Sequence, residues 1–136
     1  PETPQLYDIE ALRYLYGDGA NATGDDVYIF EDVDSRLMTI VDDGGTDTLD
    51  MSAATYGVEI DLEPGSASSV LPLGADNLTL ANGTVIENVI GSEFSDTITG
   101  NAQANVLRGL GGDDTLRGED GVDRLFGSGG NDAVLH

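Results

Sequence analysis

The sequence contains no cysteine, no tryptophan and no lysine, and its single histidine is the last residue, His136. Each absence removes a class of chemistry. Without cysteine there is neither a disulfide framework nor a thiolate nucleophile. One terminal histidine cannot supply the three imidazoles of a catalytic zinc site, nor the base of a Ser-His-Asp triad inside a fold. Arginine alone provides the 5 positive charges that stand against 26 acidic groups, so the net charge is −21. That balance argues against nucleic acid or an anionic membrane as a direct partner. No apolar run approaches the roughly 18 residues of a membrane span. Missing tryptophan weakens any carbohydrate-stacking platform. Tyr14, Tyr16, Tyr28 and Tyr56 remain as aromatic candidates for glycan binding, although packing in a core is their commoner use. The sequence begins at Pro1 without methionine and shows no signal peptide, which is expected of a segment of a longer protein.

What is present is patterned. Hydrophobic residues make up 39% of the chain, too many and too regularly placed for a disordered polyanion. A length of 136 residues suits one domain, expected over 1–136. Eighteen of the acids are aspartate, the residue that fits tight turns and hard cations alike.

From Gly91 the chain repeats every nine residues without insertion: GSEFSDTIT, GNAQANVLR, GLGGDDTLR, GEDGVDRLF and GSGGNDAVL. The first position is always glycine: Gly91, Gly100, Gly109, Gly118 and Gly127. The sixth is Asp96, Asn105, Asp114, Asp123 and Asp132, and the eighth is Ile98, Leu107, Leu116, Leu125 and Val134. This is the G-G-x-G-x-D-x-U-x pattern of a parallel β-roll. Its first six residues form a turn in which glycine permits positive φ. Its last three form a short strand with the middle side chain inward. Calcium takes six to eight hard oxygens and accepts mixed shells of carbonyl and carboxylate. Carbonyls of turn residues such as Gly109, Gly111, Gly118, Asp120, Gly127 and Gly129 would join the sixth-position side chains around such an ion. Two blocks make one coil, so blocks two apart should stack: Asp96 with Asp114, Asn105 with Asp123, Asp114 with Asp132. Asn105 brings no charge, so its site ranks weakest. Phe94 and Gln103 replace the usual fourth glycine, so their two turns should depart from the other three.

Upstream, residues 82–90 fit the same frame as a degenerate block, with Glu87 sixth and Val89 eighth, and the repeat region is expected to span 82–135. Residues 27–30, 37–41, 48–51, 58–62, 78–80 and 85–90 read as short strands of a β lead-in over 20–81. Residues 63–74, rich in Pro, Gly and Ser, read as a surface loop. Residues 7–16 predict one short helix in the span 7–17, capped by Asp8 and ended by Gly17, with Ile9, Leu12 and Tyr16 on one face. Two further Asp/Gly turns, 22–26 and 42–47, could each hold a hard cation or simply be turns; composition does not separate the two.

The segments YDIEALRYLYG, TGDDVYIF, DDGGTDTLD and NGTVIENVIGSEFSDTITGNAQANVLRGLGGDD resemble, in that order, the C-terminal domain of serralysin-type metalloproteases. These belong to the RTX family of secreted bacterial proteins. The nonapeptides are common to all RTX proteins, whereas the opening segment and the I-E-N-x-I-G-S junction are more specific. The resemblance implies an all-β fold: a calcium-loaded parallel β-roll behind a β-sandwich-like lead-in. It implies one site from the carbonyls of Ala22 and Gly24 with Asp26, facing Asp42, the Gly44 carbonyl and Asp47. It implies a second joining the Gly45 carbonyl and Asp47 to the Val85 carbonyl and Glu87. The family usually has arginine where Ala22 stands, which leaves a carbonyl ligand but alters the packing there. It further implies secretion to the extracellular space by the type I route, a zinc-dependent catalytic domain upstream, and a capping segment with a secretion signal beyond His136. The zinc motif itself, H-E-x-x-H-x-x-G-x-x-H, is absent from this chain. The expectation is therefore a non-enzymatic calcium-binding module. The other classes are a fragment of a zinc protease and an adhesin or polysaccharide-binding appendage.

Overall fold

The computed structural model describes residues 5–9, 12–16, 27–29, 37–41, 44–69, 78–81 and 83–135. Among them every regular element is a strand. In the repeat region these are β9 (Asn88–Ile90), β10 (Thr97–Thr99), β11 (Val106–Arg108), β12 (Thr115–Arg117), β13 (Arg124–Phe126) and β14 (Ala133–Leu135). Each is three residues long because the nine-residue frame leaves three outside the turn. The middle residue alone faces inward: Ile98, Leu107 and Leu116 are fully buried. Burying one such side chain contributes about 1.5–3 kcal/mol.

Successive strands alternate between two parallel sheets. One has the order β14-β12-β10-β6, with β6 at Glu59–Asp61; the other is β13-β11-β9-β5-β3, with β5 at Thr48–Asp50 and β3 at Val27–Ile29. Leu116 sits between Ile98 and Val134, and Leu107 between Val89 and Leu125, so blocks two apart stack in register as expected. The stacking does not start at residue 82. Thr48 pairs with Asn88 and Glu59 with Thr97, so strands of the lead-in continue both sheets of the roll.

A third sheet has the order β1-β2-β4-β8-β7, with β1 at Gln5–Ile9, β2 at Leu12–Tyr16, β4 at Leu37–Val41, β7 at Ala67–Ser68 and β8 at Leu78–Leu80. Here two expectations are corrected. The helix predicted over 7–16 is instead an antiparallel pair, Gln5 opposite Tyr16 and Ile9 opposite Leu12, with β2 running on parallel to β4. Leu12, Tyr14 and Tyr16 satisfy a period of two as well as Ile9, Leu12 and Tyr16 satisfy a helical one. A strand that pairs with a neighbouring sheet gains hydrogen bonds that a lone short helix lacks. The loop predicted over 63–74 also contains β7, antiparallel to β8. Glu59 and Ser69 exchange backbone hydrogen bonds of 2.9 and 2.8 Å, so this excursion covers the outer edge of β6.

The core runs through all three sheets. Tyr28, Ile40, Leu49, Met51, Val58, Ile60, Leu62, Leu78, Leu80, Ile86 and Val89 join the repeat aliphatics in one buried cluster. Burial declines toward the last coil, where Leu125 is half-buried and Val134 is 37% exposed.

Candidate metal centre

The turns between strands lie along two edges of the roll. Turns 91–96, 109–114 and 127–132 form one edge; turns 100–105 and 118–123 form the other. The sixth residue of each turn closes it. Asp114 Oδ1 accepts the Asp96 backbone N–H at 2.9 Å, and Asp132 Oδ1 accepts that of Asp114 at 2.9 Å. Asp96 Oδ1 accepts from Val58 N–H at 2.9 Å, which extends the ladder into the lead-in. On the other edge Asp123 Oδ1 accepts from Asn105 N–H at 2.8 Å, and Glu87 Oε2 accepts from Asp47 N–H at 2.8 Å. Glu87 therefore does occupy a sixth position, as the degenerate block predicts.

The first-position glycines have a spatial reason rather than a dihedral one. A Cβ on Gly91, Gly100, Gly109, Gly118 or Gly127 would meet the side chain of Asp96, Asn105, Asp114, Asp123 or Asp132 of its own block. Positive φ falls elsewhere, at the second and fourth positions of the last three turns. Leu110, Glu119 and Ser128 sit at φ of 70, 70 and 71°, and Gly112, Gly121 and Gly130 at 93, 102 and 95°.

The first two turns contain no positive φ and close through side chains. Ser92 Oγ donates to Asp96 Oδ1 at 2.7 Å and accepts from Phe94 N–H at 3.1 Å, while Asp96 Oδ2 accepts from Ser92 N–H at 2.7 Å. Turn 100–105 repeats this with amides. Asn101 Oδ1 accepts from Gln103 N–H and from Asn105 Nδ2, each at 3.0 Å, and Asn105 Oδ1 accepts from Asn101 N–H at 3.0 Å. The departure expected from Phe94 and Gln103 is thus present. Ser92 and Asn101 were missed as functional positions. Their signal was a polar residue two before the non-glycine, the pattern of ST and Asx turns.

Electrostatics separate two buried carboxylates. Asp96 is held by three protein donors, and burial nevertheless raises its pKa. Asp114 has one donor, on Oδ1, while its Oδ2 is buried with no hydrogen-bond partner. Burial, with the charges of Asp96, Asp132 and Asp113 adding to it, pushes its carboxyl up to about 6. A buried carboxylate oxygen without a donor is costly unless a cation neutralises it.

Among the described residues no three acidic side chains gather at one point; the sixth position contributes one carboxylate per turn, except in turn 100–105, where it is Asn105. A cation there would draw its remaining ligands from backbone carbonyls, the shell that calcium accepts and zinc does not favour. Turn 109–114, with its unpartnered Asp114 Oδ2, fits a hard cation, and turns 118–123 and 127–132 share its backbone. The carbonyl candidates Gly109, Gly111, Gly118, Asp120, Gly127 and Gly129 all lie in these three turns. Of the two upstream sites, Asp47 and Glu87 are brought together at the starts of β5 and β9, with Gly44 and Gly45 shortly before β5 and Val85 two residues before Glu87. Ala22, Gly24, Asp26 and Asp42 lie outside the described residues. Of the aromatic candidates, Tyr28 is fully buried in the core and Tyr56 is half-buried; the side chains of Tyr14 and Tyr16 are not among those described.

The chain is 38% identical over 117 residues to a serralysin of Proteus mirabilis, covering 76% of this chain and 24% of that protein. It is 37% identical over 118 residues to the metallopeptidase AprA of Pseudomonas marginalis, and 38% over 118 residues to a serralysin of Photorhabdus luminescens; each match covers 77% of this chain and 24% of the relative. The chain thus spans about a quarter of the length of the curated relatives it matches. Residues 7–134 match the family of M10 peptidase serralysin C-terminal domains, and the chain belongs to that family.

Proposed function

We propose that this chain is the calcium-binding, non-catalytic C-terminal module of a secreted serralysin-type metalloprotease, folding on calcium outside the bacterial cell. The observation that carries the proposal is the sixth-position ladder, in which Asp114 keeps a buried oxygen with no protein donor between two other carboxylates. When bound, calcium supplies positive charge and a coordination sphere. The residues do the rest. Asp96, Asp114 and Asp132 line one edge and Asp123 the other, the glycines clear space for each carboxylate, and the inward aliphatics hold the coils at strand spacing. A net charge of −21 opposes compaction until it is neutralised. Binding restricted to the folded state adds about 2.7 kcal/mol per site at a hundredfold excess over Kd. Several sites would make folding follow the change from low cytosolic to high external calcium.

The family supports a parent in which a catalytic domain lies elsewhere in the protein. No glycan-binding role is supported by the placement of Tyr28. Circular dichroism of the chain in calcium and in EGTA tests the proposal. The expected result is more β signal and a higher Tm with calcium; equal spectra and equal melting in both would refute it.

A further inference from the structure

The five repeats are not five equivalent turns. Three have left-handed backbone at both the second and fourth positions, and two have it at neither. In the two exceptions the side-chain oxygens that would face a cation already have protein partners. Both oxygens of Asp96 accept hydrogen bonds from within the chain, from Val58 N–H, Ser92 Oγ and Ser92 N–H. In the next turn the side-chain amides act as donors toward backbone carbonyls. Asn101 Nδ2 reaches Ile86 O at 2.8 Å and Leu62 O at 3.4 Å, and Asn105 Nδ2 reaches Glu87 O at 2.9 Å. These are carbonyls facing into the turn, and an N–H donor supplies them with partial positive charge as a cation would. Asn101 and Asn105 are both at least 97% buried, so the bonds are shielded from water.

We infer that turns 91–96 and 100–105 close without any metal ion, so that the roll has a self-closed section through Arg108 and an ion-dependent section over 109–135. The inference deepens the calcium proposal by dividing the repeats, and it leaves Asp96 and Asn105 out of the ligand set. The physical logic is substitution. A hydroxyl at Ser92 and a carboxamide at Asn101 replace the second-position backbone that the other turns hold left-handed. The consequence is directional: the self-closed section is a template on which the remaining coils can stack once their carboxylates are neutralised, as in a one-dimensional repeat array.

Hydrogen exchange measured by mass spectrometry on the full chain, in EGTA and in calcium chloride, tests this. Without calcium, residues 97–108 should exchange more slowly than residues 115–135 by about tenfold or more. Calcium should slow 115–135 by a comparable factor and leave 97–108 within about twofold. Equal exchange of the two segments in EGTA, or equal slowing of both by calcium, would overturn the inference. Protection of 97–108 without any calcium effect on 115–135 would uphold the self-closed section and defeat the calcium proposal instead. A second arm separates turn closure from mere proximity to the core. In the Ser92→Ala, Asn101→Ala double variant, protection of 97–108 in EGTA should fall by about tenfold, and unchanged protection would also overturn the inference.

Discussion

A glycine placed at the second position of a repeat should stabilise one turn and destabilise another, although the consensus pattern treats the positions as equal. Glu119 lies at φ of 70°, where a residue with a Cβ is strained by roughly 1–2 kcal/mol. Its ion pair with Arg117, Nε to Oε1 at 3.8 Å, joins two exposed side chains and contributes little. Glycine there relieves the strain but loses roughly 0.5–1 kcal/mol to chain entropy. The net expectation for Glu119→Gly is a gain of about 0.5–1 kcal/mol, or a Tm rise of roughly 2–4 °C. Ser92 has no such strain. Ser92→Gly removes the hydroxyl donor to Asp96 Oδ1 at 2.7 Å and the acceptor for Phe94 N–H at 3.1 Å. A hydrogen bond to a buried charged group contributes about 1.5–3 kcal/mol, and with the entropy of the new glycine the loss should be about 2–4 kcal/mol. Urea denaturation of both variants at one fixed free calcium concentration would give the two values. A neutral or stabilising Ser92→Gly, or a Glu119→Gly that loses more than about 1 kcal/mol, would refute the division of the turns by backbone type.

Three further outcomes follow from the same geometry. Asp114→Ala should weaken calcium binding more than Asn105→Ala in titration calorimetry, because Asp114 stacks between Asp96 and Asp132; an equal loss would count against it. Leu107→Ala, at a fully buried rung, should cost about 2–5 kcal/mol in denaturant, whereas Val134→Ala, 37% exposed in the last coil, should cost well under 1 kcal/mol as an estimate from partial burial. In EGTA the domain should lose stability as pH rises. Asp114 has its folded pKa raised from 3.8 to about 6, so the folded state binds the extra proton in that window. Its contribution is greatest below the unfolded pKa and is gone above the folded one, while calcium affinity should fall on acidification below about 6; melting at a series of pH values, with and without calcium, reads both signs.

The nonapeptide made the roll legible because one coil equals two blocks, and a constant period of 18 carries register directly. Ile98 above Leu116 and Asp96 beside Asp114 could be placed from spacing alone. Upstream the same architecture was hidden. Thr48 stacks under Asn88 and Glu59 under Thr97, separations of 40 and 38 residues, because the excursion through β7 and β8 is inserted between two coils. A periodicity argument cannot see a coil interrupted by a detour into another sheet. The helix expected over 7–16 failed for a related reason: β4, the strand against which β2 runs parallel, is distant in sequence. At the site, the sixth-position side chains were legible, but the job of the first glycine was not. Its constraint is a carboxylate packed over Cα, which no dihedral preference reveals.

The two turn edges of the roll are fastened unequally. Along the edge of turns 91–96, 109–114 and 127–132, the fifth position adds a ladder that runs opposite to the sixth. Asp113 N–H donates to Ser95 Oγ at 3.1 Å and Asn131 N–H to Asp113 Oδ1 at 2.9 Å, so acceptors here sit on the earlier coil. The other edge has Ala104 and Val122 at the fifth position, with no side-chain acceptor to offer, and Val122 is 86% exposed. Between turns 100–105 and 118–123 the side-chain clasp is the single Asn105–Asp123 bond, whereas turns along the first edge are clasped at two points. Mechanically the stack is a book with its spine along residues 95, 113 and 131. Thermal breathing should open the pages at 122, beyond the amide-closed turn 100–105, and a protease or a slipping register should enter from that side first.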